Sequence, residues 1–99
     1  MTVDKQLNGD TLKMTISGRI DSVTSVELQA IVDESLKDVA HLTIDLANVE
    51  YVSSAGLRVI LAAHKIMSRQ GTMNLVRVPE FVREVFEITG FDSVLNIEY

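Results

Sequence analysis

Residues 42–70 read LTIDLANVEYVSSAGLRVILAAHKIMSRQ, and the reading of this stretch decides the fold. Leu42-Thr43-Ile44-Asp45-Leu46 is apolar and β-branched, as an interior strand should be. Leu57 to Gln70 is too long, and too rich in Leu, Ile, Ala, Met, Lys and Arg, to be another strand; the pattern predicts a helix from Ser54 to Gln70. Asn48-Val49-Glu50 reads as a polar surface connection, and Tyr51-Val52 as a short extended piece before a turn. The turn itself is Ser53-Ser54-Ala55-Gly56. A helix start leaves N–H groups unpaired and carries partial positive charge, so it suits an anion. Serine is also a favoured N-cap, and a serine before a helix is most often only that. Gly56 argues for more. In the first turn of a helix glycine costs roughly 1 kcal/mol against alanine. Neither serine has Glu or Gln three residues later, so there is no capping box. Such a start calls for close backbone approach or a bare surface.

Outward from this stretch the chain alternates. Val3 to Asn8 is a weak strand, with Asn8-Gly9-Asp10 as a turn behind it. Leu12-Lys13-Met14-Thr15-Ile16-Ser17 alternates apolar and polar, so it reads as a strand with one face buried, and the two form a hairpin. Gly18 to Ser22 reads as a loop. Val23 to Lys37 reads as an amphipathic helix, its apolar stripe built from Val26, Leu28, Ala30, Ile31, Val32, Ser35 and Leu36, with Ser22 or Thr24 as its cap. After the central helix Gly71 reads as a C′ stop. Thr72 to Val76 is a further core strand ending at Arg77. Pro79 opens a short helix in which Phe81, Val82, Val85, Phe86 and Ile88 recur at helical spacing, and Gly90 closes it. In the tail, Val94 to Ile97 reads either as a last edge strand or as irregular packing. The order β-β-α-β-α-β-α-β predicts a single α/β domain over residues 1–99, with a mixed sheet.

Composition narrows the function. The chain has 99 residues, 46% of them hydrophobic, enough for one core. It has no cysteine, so disulfides and thiol chemistry are excluded and a cytoplasmic location is the simplest expectation. No run approaches the roughly 20 apolar residues of a membrane span, and residues 1–6 lack the apolar core of a signal peptide. A net charge of −5 disfavours nucleic acid and favours a partner with a basic surface. His41 and His64 stand apart from any metal-ligand spacing, no Gly-x-Ser-x-Gly elbow is present, and Asp45 has no evident partner and reads as a rim residue. No enzyme is read here, and no cofactor or metal. Asp92-Ser93-Val94 is like an acyl-carrier attachment site, but the chain after it is too short for the helices such a carrier needs.

Tyr51-Val52-Ser53-Ser54-Ala55-Gly56-Leu57-Arg58-Val59-Ile60-Leu61 resembles the phosphorylation loop of the STAS-domain anti-sigma factor antagonists. Ser17-Gly18-Arg19-Ile20-Asp21-Ser22 resembles that family's Gly-x-x-Asp stretch. The resemblance covers essentially the whole chain, and Ser53 stands where many members carry Asp. It implies a STAS-like sheet with helices mainly on one face. It implies phosphorylation at Ser54, with Asp21, Ser53, Ala55, Gly56 and Arg58 at the partner contact and Asp21 close to the modified serine. Leu57 is read as core, and Gly56 as the residue that leaves the loop uncovered. For Asp21 a carboxylate favouring the first turn of its own helix is an equal reading, and for Arg58 a solvated helix residue is another. The implied partners are an anti-sigma factor that is also a serine kinase, and a phosphatase that resets Ser54. The competing expectation is a constitutive accessory subunit of a transporter complex. A nucleotide-binding domain is a third, for which the chain offers no phosphate-cradling glycine loop.

Overall fold

In the computed structural model, which describes residues 1–99, the elements run β1 Thr2–Asn8, β2 Thr11–Ile20, α1 Thr24–Ser35, β3 His41–Val52, α2 Ser54–Ser68, β4 Thr72–Val76 and α3 Glu80–Thr89, followed by a 3₁₀ turn at Phe91–Ser93. The sheet order is β1-β2-β3-β4. The first pair is an antiparallel hairpin and the rest is parallel. Both parallel crossovers step in the same direction, so the right-handed rule puts α1 and α2 on one face, where they pack on each other. Leu12, Met14 and Ile16 of β2, Leu42, Ile44 and Leu46 of β3, and Met73 and Leu75 of β4 point to that face. They meet Leu28, Val32 and Leu36, then Leu57, Ile60, Ala63 and Met67, then Val82 and Phe86. The residues between them on the strands are polar or small and line the opposite face.

Several sequence expectations change. β2 does not stop at Ser17: Gly18 lies inside it at φ 91° and pairs with Val49, and after a one-residue bulge of β3 at Glu50 the pairing continues at Arg19–Tyr51 and Ile20–Val52. Likewise residues 48–50 are no surface connection. β3 is one strand from His41 to Val52, and it absorbs two register shifts against β2. Asn48 and Glu50 are polar because they lie on the uncovered side of the sheet. In α1 the buried stripe is Ser25, Leu28, Val32 and Leu36; Val26 and Ala30 point outward. In α3 only Val82 and Phe86 are buried, and Phe81 and Ile88 are exposed. The tail makes a single parallel bridge, Leu75–Ile97, so it is irregular rather than a fifth strand. Gly71 is not a left-handed stop. Its place is set by close approach, since a Cβ there would lie 1.7 Å from the Ala40 carbonyl oxygen.

Asp45 is the largest correction. It is fully buried on the otherwise polar face, and its carboxylate accepts from the Ala47 N–H at 3.0 Å and from the Arg77 guanidinium. Ala47 lies where β3 bulges against β2, so its N–H is stripped of a ladder partner and the carboxylate supplies one. Burial alone would push the Asp45 carboxyl up; the Arg77 and Ala47 bonds outweigh it and hold the carboxyl below its usual range. A depressed carboxyl contributes stability above its unfolded-state value of about 4, and that contribution fades as pH falls through the folded-state value. Asp45→Ala is therefore expected to lose about 1–3 kcal/mol at neutral pH. Urea melts should show the gap from the parent protein narrowing below about pH 4. A gap independent of pH down to acid would mean that the charge contributes nothing.

Candidate functional site

β2 and β3 end side by side at Ile20 and Val52, and each then turns into a helix. Two helix starts thus meet at the carboxyl edge of parallel strands, the edge where open α/β sheets place their ligand crevices. The Ser53 N–H donates to the Ile20 carbonyl at 2.8 Å and ties the two ends together. Ser53 has extended backbone and is the N-cap of α2: its hydroxyl accepts from the Gly56 N–H at 3.1 Å, and its carbonyl accepts from Leu57 at 3.0 Å. Ser54 is the first helical residue. It is exposed, and its hydroxyl makes no hydrogen bond within the chain. Two adjacent serines, equal as read from sequence, are thereby separated into a cap and a bare hydroxyl.

Gly56 does not leave the loop uncovered. It is buried, and a Cβ there would lie 2.7 Å from Ile20 Cγ2 and 3.1 Å from the Ile20 carbonyl oxygen and from Val52 Cγ1. The glycine lets the first turn of α2 rest on the two strand ends. Any partner touching this turn meets Ser54, Ala55 and Arg58 rather than Gly56. Leu57 is core, as expected. Gly56→Ala should gain about 1 kcal/mol in helix propensity and lose about 1–3 kcal/mol to overpacking, a net destabilisation that thermal melts would register. A raised melting temperature would show that the turn has slack.

Asp21 belongs to α1. Its Oδ1 accepts from the Val23 and Thr24 N–H groups at 3.0 and 2.9 Å and from the Thr24 hydroxyl, while its own N–H donates to Thr24 Oγ1 at 2.8 Å. The Asp21 carbonyl takes the Ser25 N–H at 2.9 Å. Although the regular helix begins at Thr24, these bonds make Asp21 the N-cap and Thr24 the reciprocal partner of a capping box. The Thr24 N–H above all holds the Asp21 carboxyl below its usual range. Burial opposes this, and Val23, the Thr24 hydroxyl and Arg19 reinforce it. Asp21 follows Ile20 directly, so it stands beside the Ser53 turn with its carboxylate already committed.

Around this edge the surface is partly apolar. Val23 and Val26 are 77% and 71% exposed. The guanidinium of Arg19 stacks on the Tyr51 ring at 4.4 Å. A groove of about 440 Å³ runs between α1 and α2, with Val26, Ala30, Ala55, Arg58 and Val59 among its walls. Arg58 is exposed and forms no salt bridge. The histidines lie elsewhere. His41 Nδ1 is 2.8 Å from Thr72 Oγ1 at the opening ends of β3 and β4, and His64 is in the body of α2. No three His, Cys, Asp or Glu side chains group as a metal site would. The arrangement presents an exposed hydroxyl at a helix start. Sequence reasoning missed the Ile20 carbonyl and the stacked Arg19–Tyr51 pair, because both depend on strand register. The reciprocal role of Thr24 was open to detection from its spacing of three residues after Asp21.

A family model described as "Mlab, STAS domain" matches residues 3–96. The chain is 35% identical, over 98% of its length, to a Bordetella bronchiseptica protein provisionally named anti-sigma factor antagonist BtrV, covering 84% of that protein. It is 29% identical, again over 98% of its length, to the anti-sigma-B factor antagonist of Bacillus subtilis, covering 90% of it. In three dimensions it is similar to the Bacillus cell fate determinant SpoIIAA in its phosphorylated form. The TM-score is 0.76 at 14% identity, over 97% of this chain and 90% of the other.

Proposed function

The chain belongs to the STAS-domain family of anti-sigma factor antagonists, and from that membership we propose that it is a partner-switching protein controlled at Ser54. The unmodified form binds an anti-sigma factor that is also a serine kinase; phosphorylation of Ser54 releases it, and a phosphatase restores it. On this reading the protein works in the cytoplasm. The observation that carries the reading is the bare Ser54 hydroxyl beside a Ser53 hydroxyl engaged as a cap. A visiting active site can reach the first without unmaking the helix start.

A phosphate on Ser54 adds roughly −1.5 to −2 charge. The Ser54 and Ala55 N–H groups at the head of α2 have no acceptor within the chain, and Arg58 lies one turn on. There the added charge is favoured by roughly 0.3–1 kcal/mol, so the fold persists. That SpoIIAA keeps this fold in its phosphorylated form supports release without refolding. Against a docked partner surface the same charge is repelled and costly to desolvate, and 1.4 kcal/mol is already a tenfold loss of affinity. Ala55 and Arg58 supply contact surface. Ser53, Gly56 and Asp21 hold the two helix starts in place and act by positioning.

Incubation with an anti-sigma factor kinase and ATP, followed by mass spectrometric mapping, tests the assignment. Phosphate on Ser54 is expected. Phosphate on Ser53 alone defeats the residue assignment. A stable complex with no phosphoserine, indifferent to substitution of Ser54, would make the chain a constitutive subunit instead.

A further inference from the structure

On the far side of α2 from α1, a second groove of about 310 Å³ separates the helix from the C-terminal segment. Arg58, Leu61, Ala62, His64, Lys65 and Val94 line it, and no carboxylate does. Arg58, Leu61, Ala62 and Lys65 are spaced i, i+3, i+4 and i+7, so they form one stripe over two turns of α2. The two cations bracket an apolar centre and stand about 10.5 Å apart along the axis. α2 contains no acidic residue, although the chain carries −5 overall. Arg58 and Lys65 are both exposed, and the two salt bridges of the chain, Arg77–Asp45 and Arg83–Glu87, leave them free. Val94, opposite, is 53% exposed.

We propose that this groove receives an acidic amphipathic helix of the anti-sigma factor, with two carboxylates spaced seven residues apart seated on Arg58 and Lys65. Apolar side chains three and four residues after the first carboxylate fill the space between Leu61, Ala62 and Val94. This is recognition of a helix in a groove, with charge fixing register and apolar contact giving affinity. It rests on the partner-switching reading for the owner of the helix, and it gives Arg58 a role at both edges of α2. A phosphate on Ser54, one turn from Arg58, competes with the incoming carboxylate for that guanidinium.

Titrating the isotopically labelled protein with synthetic helical peptides tests the groove without any kinase. One peptide carries Glu seven residues apart with leucines three and four after the first, in an alanine-rich frame; its control carries Lys in place of Glu. The Glu peptide is expected to shift amide resonances of residues 58–65 and 94, with an affinity that falls as salt is raised. Arg58→Glu with Lys65→Glu should weaken the Glu peptide at least tenfold and admit the Lys peptide. Arg58→Gln with Lys65→Gln should weaken both the binding and its salt dependence. Equal binding of the two peptides, shifts confined to other surfaces, or no binding up to about 1 mM would overturn the proposal. A groove that behaves as expected in a protein never phosphorylated at Ser54 would overturn the switch and leave the groove standing.

Discussion

Ser54→Asp is expected to abolish binding of the anti-sigma factor, while Ser54→Ala binds as the parent does and can no longer be released by ATP. The asymmetry follows from where the side chain sits. Ser54 is the first residue of α2, exposed, with no hydrogen bond from its hydroxyl. Alanine therefore removes nothing that the fold uses, and it is a good helix former. Aspartate introduces a charge that the helix start tolerates and a docked surface does not. Isothermal titration should show a loss of more than about tenfold for aspartate, with a melting temperature no lower than the parent's. Ser53 is the internal control. Ser53→Ala removes the cap on Gly56 and should cost about 1 kcal/mol of stability while leaving the phosphorylation site in place. Tight binding by Ser54→Asp would end the switch as described.

Gly71→Ala is expected to be the most damaging single methyl in the chain. The added carbon would lie 1.7 Å from the Ala40 carbonyl oxygen, 2.6 Å from its carbon and 3.0 Å from its Cα. All three are backbone atoms, and their surroundings are pinned. The Ala40 carbonyl accepts from Thr72 at 2.9 Å, the Ala40 N–H donates to Asp10 at 2.8 Å, and the Gly71 N–H donates to Met67 at 2.7 Å. No rotamer relieves the overlap. The start of β4 must part from the start of β3, giving up the Thr72 hydrogen bond and the His41–Thr72 pairing. A loss of about 3 kcal/mol or more is expected, large against the roughly 5–15 kcal/mol that holds a domain together. Urea denaturation reads it directly. Stability close to the parent would mean that the two strands are not locked at this distance.

Much of the architecture was legible because period reports burial. Strict alternation over Leu12–Ser17 and the β-branched run at Leu42–Leu46 marked strands, and the long Leu-, Ala- and Ile-rich run after Ser54 marked a helix. The errors share one cause. Residues 48–50 look like a loop because they are polar, but polarity there records an uncovered sheet face, and strand pairing holds them extended. Val26 and Ala30 look like core because they are apolar, but the geometry of α1 turns them to solvent. Asp45 looked partnerless because Arg77 lies 32 residues away and reaches it only across the sheet.

The same division runs through the site. The amino-acid order alone placed two hydroxyls and a glycine at a helix start, after a buried strand and a short extended piece; that the strand runs unbroken to the turn came from the structure. The placement is local information, carried by propensity and by capping preferences that act within one turn. Which hydroxyl is bare, why the glycine is needed and what Asp21 holds were decided by the contact between two strand ends. Ile20 takes the Ser53 N–H and fills the space where a Gly56 side chain would stand. No sequence pattern encodes that contact, because it joins residues more than thirty positions apart and exists only once β2 and β3 have found their register.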